Sequence, residues 1–172
     1  MDKTEKNIKM KIKSRVSEFP VQSPEKQYGS LKTQTASEKE SAEKESDNTC
    51  ELLTDGTLVR DGSKISIKYC ERADMGFETD TVTILDIDTE NPNVVTMVRT
   101  GDGATACRFD SEKSRQICVY EVAGIPLELA IKTNSVAHSI TENGGRINLD
   151  YTIELRGMST QRNQMEIEVY GI

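Results

Sequence analysis

The chain has no tryptophan, a single histidine, three phenylalanines and four prolines among its 172 residues. One histidine excludes any two-histidine or three-histidine metal site within one chain, and any imidazole-based nucleophile activation must use His138. No apolar run approaches the roughly 20 residues that a membrane-crossing helix requires. Met1 to Lys11 are studded with charges and lack the apolar stretch of a signal peptide, so the expected location is the cytoplasm. A basic excess is also missing. The net charge of −7 and pI of about 4.9 oppose duplex DNA, other nucleic acid and anionic membrane as partners, because each demands a basic face to displace counterions. With 35% hydrophobic and 30% charged residues, the composition is that of one globular domain over residues 1–172.

What the chain does have is alternation. After Asn143-Gly144, a turn dipeptide suited to positive φ, Ile147, Leu149, Tyr151, Ile153 and Leu155 alternate strictly with polar residues, as a strand with one dry face does. The same grammar marks strands at Asn7 to Val16, Thr49 to Arg60, Lys64 to Glu71, Glu78 to Ile87 and Val94 to Thr100. It continues at Ala104 to Phe109, Arg115 to Glu121, Ile125 to Ile140, Arg146 to Leu155 and Gln164 to Tyr170. Asp61-Gly62, Asn91-Pro92-Asn93, Gly101-Asp102-Gly103, Gly124 and Gly157 to Asn163 punctuate them. This predicts an all-β antiparallel meander. Between the first two strands, residues 19–48 form a Ser, Glu, Lys and Gln-rich tract with no apolar period, which cannot bury enough surface to offset chain entropy and is expected to be a disordered insertion. Ile125 to Ile131 keep apolar residues at odd positions, whereas Val136, His138 and Ile140 are even, so a one-residue bulge is expected near Thr133-Asn134-Ser135. Lys9, Lys11 and Lys13 face outward on the first strand and Glu166 and Glu168 on the last. Pairing first with last would juxtapose opposite charges and close the sheet.

Three segments, Gly56-Thr-Leu-Val-Arg-Asp-Gly-Ser-Lys-Ile-Ser-Ile-Lys-Tyr-Cys-Glu71, Val95-Thr-Met-Val-Arg-Thr-Gly101 and Gly144-Gly-Arg-Ile-Asn-Leu-Asp-Tyr151, resemble in order and spacing the YwiB-like family of small bacterial proteins. The resemblance covers the first strand and Thr49 to Tyr170. It implies a domain of unknown function with a calycin-like, lipocalin-like β-barrel, here of eight to ten strands, and carries over no catalytic residue. The family tends to have an aromatic residue just before the glycine at Gly124 and a tyrosine four residues earlier, where this chain has Ala123 and Val119. The tryptophan of true lipocalins is missing.

The four cysteines are expected as free thiols. With Asp61-Gly62 as the turn, Leu58 faces Ile65 and Cys70 faces Leu53, which leaves Cys50 roughly 10 Å away along the strand. Cys107 and Cys118 lie on adjacent strands and oppose each other only if the connecting loop is Ser111 to Ser114. His138, by parity on the apolar face across from Leu149 or Tyr151, is either a polar handle in a pocket or a buried neutral imidazole bonded to a backbone carbonyl or to Tyr151. Glu71 shares a face with Ile65, Ile67 and Tyr69. A carboxylate there is costly unless paired, Arg99 being the candidate partner, and the competing possibility is a strand-end glutamate that reaches water. Asp86, Asp88 and Glu90 imitate the start of a calcium loop, but Asn91 and Met97 stand where glycine and glutamate are needed.

The sequence therefore predicts no catalytic constellation, no metal and no cofactor. Two functional classes remain. One is non-catalytic binding of a small apolar or amphipathic ligand in the barrel, with Ile65, Ile67, Tyr69, Glu71, Arg99, Val136, His138, Leu149 and Tyr151 as the candidate lining. The other is a monomeric or homodimeric interaction or assembly module with a filled core.

Overall fold

The computed structural model describes residues 3–19, 47–71, 80–101, 103–113 and 115–171. Period-two alternation becomes ten strands in chain order: β1 Thr4–Glu18, β2 Asp47–Asp61, β3 Lys64–Glu71, β4 Thr81–Asp88 and β5 Asn91–Thr100, then β6 Thr105–Asp110, β7 Arg115–Val122, β8 Ile125–His138, β9 Gly144–Leu155 and β10 Met158–Gly171. Each strand pairs antiparallel with its sequence neighbours, and β1 lies between β2 and β10, closing the barrel. Lys11 and Lys13 stand opposite Glu168 and Glu166 on β10. Lys13 Nζ reaches Glu166 at 3.9 Å, and Lys11 Nζ lies 2.9 Å from Glu51 on the β2 side. On the inner face of β1, Ile8 and Met10 are buried against Leu58, Ile147 and Ile167 in one contiguous core.

The predicted bulge is Asn134: Thr133 opposes Tyr151, but Ser135 opposes Asp150. Its side-chain amide donates to Asp150 Oδ1 at 2.9 Å and to Thr152 Oγ1 at 3.2 Å, so the extra residue is tied to the neighbouring strand. A second irregularity in β10, between Ser159 and Gln161, adjusts the pairing with β9.

Several turns differ from expectation. The β2–β3 turn is Gly62-Ser63, since Asp61 pairs with Lys64 and Gly62 has φ 63°. A two-residue hairpin of this type needs positive φ at its first position, which only shifting the register by two supplies. Leu58 consequently meets Ile67 rather than Ile65, and every side chain keeps its face. The β4–β5 turn is Thr89-Glu90, and Asn91-Pro92-Asn93 belongs to β5. In the link from β8 to β9, the two turn residues are Glu142 and Asn143, inside a Thr141–Gly144 bridge of 2.8 and 3.2 Å. The positive φ angles fall on Gly144 (106°) and Gly145 (142°) instead. A Cβ on Gly144 would stand 2.2 Å from the Val169 carbonyl oxygen, and one on Gly145 2.3 Å from that of Ser139, so these glycines serve close backbone approach. The link from β9 to β10 is Arg156-Gly157 alone, and β10 starts six residues before the expected Gln164. β2 starts at Asp47, and β8 ends at His138. The tract expected as an insertion over 19–48 is described only at its ends: Phe19 N–H donates to the Thr160 carbonyl at 3.0 Å, while 20–46 lie outside the described residues, as does the expected strand start at Glu78.

Arg156 (φ 52°) and Ala123 (φ 50°) occupy left-handed conformations that disfavour residues with a Cβ. Arg156→Asn is expected to raise stability by about 0.5 kcal/mol or more, since asparagine tolerates this region. Gly144→Ala is expected to lower it by more than about 2 kcal/mol, because positive φ and a backbone clash act together. Urea denaturation of both variants against the parent checks the opposite signs.

Candidate functional site

Which end of the barrel an inward side chain reaches follows from the hairpins. One end carries the turns at 62–63, 89–90, 111–114 and 142–143. The other carries the exit of β1, the beginning of β2, the link from β3 to β4, and the turns at 101–104, 123–124 and 156–157. Toward the first end the interior is apolar: Ile8, Ile65, Ile87, Val95, Ile147 and Val169 are all nearly inaccessible. Toward the second end the inward positions turn polar, with Tyr69, Glu71, Thr81, Thr83, Arg99 and Asn163.

The centre of this polar half is an ion pair. Glu71 ends β3 and is 5% exposed, and Arg99 Nη2 donates to its Oε2. The two residues sit on β3 and β5 with β4 between them, where Thr81 opposes Glu71 and Thr83 opposes both Tyr69 and Arg99. Threonine is short enough for the guanidinium to cross β4 diagonally. The burial of Glu71 corrects the alternative in which it reaches water: the bond to Arg99 offsets the desolvation that would otherwise draw the carboxylate out. Burial, followed by the Glu71 charge, pushes the Tyr69 phenol well above the usual tyrosine range. Burial likewise pushes Tyr151 up to about 12, and its ring lies 4.7 Å from that of Phe109, tilted by 47°. Opposite Tyr151 stands Asn163. Asn163 Oδ1 accepts from Gln161 Nε2 at 3.3 Å, while its Nδ2 is buried with no acceptor. Around this end, Phe19, Ile125, Leu127 and Met158 leave large apolar side chains 38 to 65% exposed.

His138 lies at the other end. As the last residue of β8 it opposes Ile147, not Leu149 or Tyr151. Its ring bonds to the backbone of Asn91 and its Nε2 is buried without a partner, with burial pulling the pKa below 6.5. The nine candidate residues thus do not form one cluster. Tyr69, Glu71, Arg99 and Tyr151 belong to the polar half, Ile65, Ile67, Val136 and Leu149 to the apolar packing, and His138 to the far end. Thr81, Thr83 and Asn163 join the site without standing among the nine candidates, although their parity with Leu85, Ile87 and Ile167 marks them as inward. Asp86 stands within β4 and accepts from Ser66 Oγ at 2.5 Å, while Asp88 ends the strand at the hairpin tip and accepts from Glu90 N–H at 3.0 Å. Among the described residues no group of three or more His, Cys, Asp or Glu is arranged to hold a metal ion.

Two outcomes follow from this geometry. Arg99→Met strands a buried carboxylate and is expected to cost about 3 kcal/mol, and adding Glu71→Leu to it should recover most of that loss in urea denaturation. For His138 the folded pKa is depressed, so the unfolded chain takes up a proton that the native state resists, and stability falls as pH drops through about 6.5. His138→Gln should flatten the stability profile between about pH 7 and 5 relative to the parent, and the single imidazole should titrate below 6.5 by NMR.

Residues 31–167 match the family described as a domain of unknown function (DUF1934). No curated protein matches the chain. The crystal structure of the ywiB protein from Bacillus subtilis superposes with a TM-score of 0.69 over 98% of this chain and 93% of that one, at 20% identity, a likeness of fold. Among the described residues no helix is long and apolar enough to cross a membrane, which says nothing of crossing by strands. With a family match over most of its length and a closed antiparallel barrel to go with it, the chain belongs to the DUF1934 family.

Proposed function

We propose that this barrel is a non-catalytic binding protein for a small, partly apolar molecule, taken up at its polar end. The observation that carries this reading is the segregation of the interior, with one half sealed by apolar packing while the other gathers a buried carboxylate paired with Arg99, two buried tyrosines and the unsatisfied Asn163 amide. An unsatisfied buried donor is costly, and a ligand acceptor placed there removes the cost. The exposed Phe19, Ile125, Leu127 and Met158 around the same end suit an apolar body. Since Arg99 already balances Glu71, a charged head would bring an uncompensated charge into the barrel, and a neutral acceptor such as a hydroxyl or carbonyl fits better.

Absence of catalysis is part of the proposal. The single imidazole and the buried Glu71 lie at opposite ends of the barrel, too far apart to act on one substrate as acid and base. A cytoplasmic monomer or homodimer that binds neither nucleic acid nor membrane fits the acidic charge. The other functional class, an interaction module, draws support from Ile117 and Val119, which are 63 and 56% exposed on the outer face of β7.

Thermal shift with decan-1-ol, decanoate and decyltrimethylammonium separates these readings. The neutral alcohol should stabilise most, by about 2.7 kcal/mol at a hundredfold excess over its Kd. Asn163→Ala should abolish that shift and Ile117→Ser should leave it intact. No stabilisation by any of the three, or equal stabilisation of the Asn163→Ala variant, would discard the polar-end site.

A further inference from the structure

The joint between β6 and β7 differs from every other in the barrel. Among the described residues its ladder consists of one register pair, Thr105 with Tyr120, together with a 2.9 Å bond from Glu121 N–H to the Ala104 carbonyl. Side chains do much of the remaining joining, and two of them are the inward-facing Cys107 and Cys118, each 6% exposed and neither in a disulfide. The two thiols are close enough to shift each other's protonation, and Thr105 Oγ1 lies 3.4 Å from Cys107 Sγ.

Register makes this pair special. The bond between Glu121 and Ala104 marks a hydrogen-bonded site, so Thr105 and Tyr120 occupy a non-hydrogen-bonded one, and Cys107 and Cys118 follow two residues further along their strands, on the same inward face and just past the paired residues. At the Thr105–Tyr120 site opposed Cα atoms approach to roughly 4.5 Å, so the two strands leave it within the span that a disulfide bridges. Cys50 is exposed on β2, and Cys70 lies on β3.

We propose that Cys107 and Cys118 form a peroxide-responsive dithiol that closes into a cross-strand disulfide across the β6–β7 seam. The oxidant class is a hydroperoxide. Cys107 sulfur attacks the distal peroxide oxygen, the O–O bond breaks, and the departing oxygen takes a proton to leave as an alcohol, or as water when hydrogen peroxide is the oxidant. The resulting sulfenic acid is then attacked by Cys118 sulfur, whose proton leaves with the hydroxyl as water. Two thiols are oxidised by two electrons in all, and the peroxide is reduced by two. Cys107 is the attacking member. The Cys118 thiol lies against it and the Arg99 cation is close, which together pull the Cys107 thiol below its ordinary value and leave the shared proton on Cys118. Both sulfurs are covered, and the thin ladder over them is what admits a small oxidant, because a seam with few backbone bonds opens locally before the rest of the barrel does.

Peptide mapping by mass spectrometry of the full chain, alkylated after treatment with hydrogen peroxide, tests this. The expected result is a Cys107–Cys118 linked peptide that dithiothreitol reverses, accompanied by a melting temperature several degrees higher, since the link constrains the seam in the unfolded chain. In Cys118→Ser, Cys107 should be captured as a sulfenic acid by dimedone, whereas in Cys107→Ser residue 118 should stay unlabelled. Oxidation confined to Cys50 and Cys70, sulfinic acid at Cys107 with no link in the parent protein, or the reverse labelling pattern in the two variants would each overturn the proposal.

Discussion

A ten-stranded meander leaves two unpaired ladders unless its first and last strands meet, and in water such edges recruit other chains. β1 resolves both at once, pairing along nearly its whole length with β10 on one side and β2 on the other. Closure has a strict consequence: each strand must keep its inward parity in step with two neighbours around a complete circuit, so any local slip has to be absorbed where it occurs. The bulge at Asn134 and the irregularity before Gln161 do so, on the two long strands flanking β9. Without them, Val136 or Ile131 would turn into solvent, at a cost of roughly 2 kcal/mol or more for each side chain exposed.

Once the circuit is closed the inside has to be filled, and this chain fills it unevenly. Aliphatic side chains from all around the sheet interlock toward one end with exposures near zero. At the other end the same inward positions carry a carboxylate, a guanidinium, threonines and an asparagine. The ion pair belongs at an end. About a third of the Arg99 side chain stays exposed, which keeps enough hydration for a cation to hold Glu71 inside. In the middle of the barrel the same pair would lose water on both members.

Parity carries most of what the sequence reveals. Alternating Ile65, Ile67, Tyr69 and Glu71, or Ile147, Leu149 and Tyr151, announces strands and names their dry face, and the parity break in β8 narrows a bulge to Thr133-Asn134-Ser135. The charge match between Lys11, Lys13 and Glu166, Glu168 suggests which strands close the circuit. Height along the barrel axis is what parity cannot give. It depends on the register of every strand pair in succession, and each register hangs on a turn. Asp61-Gly62 and Asn143-Gly144 look like turn dipeptides, yet the chain turns one residue later in the first case and one earlier in the second, because one glycine must take the first turn position and the other must let two backbones pass. Nine residues sharing an inward face could therefore be named while their division between two ends could not. Asn163 went unnoticed for a related reason. It lies among Gln161, Arg162 and Gln164, ahead of the apolar alternation that identifies the strand, although β10 already includes it.

The seam between β6 and β7 ties these features together. Thr105 Oγ1 donates to the Val119 carbonyl at 3.1 Å, and the backbone N–H of Asp110 reaches past β7 to Thr133 Oγ1 on β8 at 3.2 Å. Both bonds stand in for ladder rungs with side-chain oxygens, which are fewer and easier to exchange for water. A fluctuation that parts β6 from β7 breaks only a few backbone bonds and leaves β1 with both its partners, so the barrel can breathe there without coming apart. What such a fluctuation uncovers is the pair Cys107 and Cys118, directly behind the seam, with the charge of Arg99 and the phenol of Tyr151 within electrostatic reach. The rungs that remain, Thr105 with Tyr120 and Glu121 with Ala104, are level with Arg99 at the polar end, so the thin stretch of wall starts at Cys107 and runs toward the apolar end, beside Met97 and Val95.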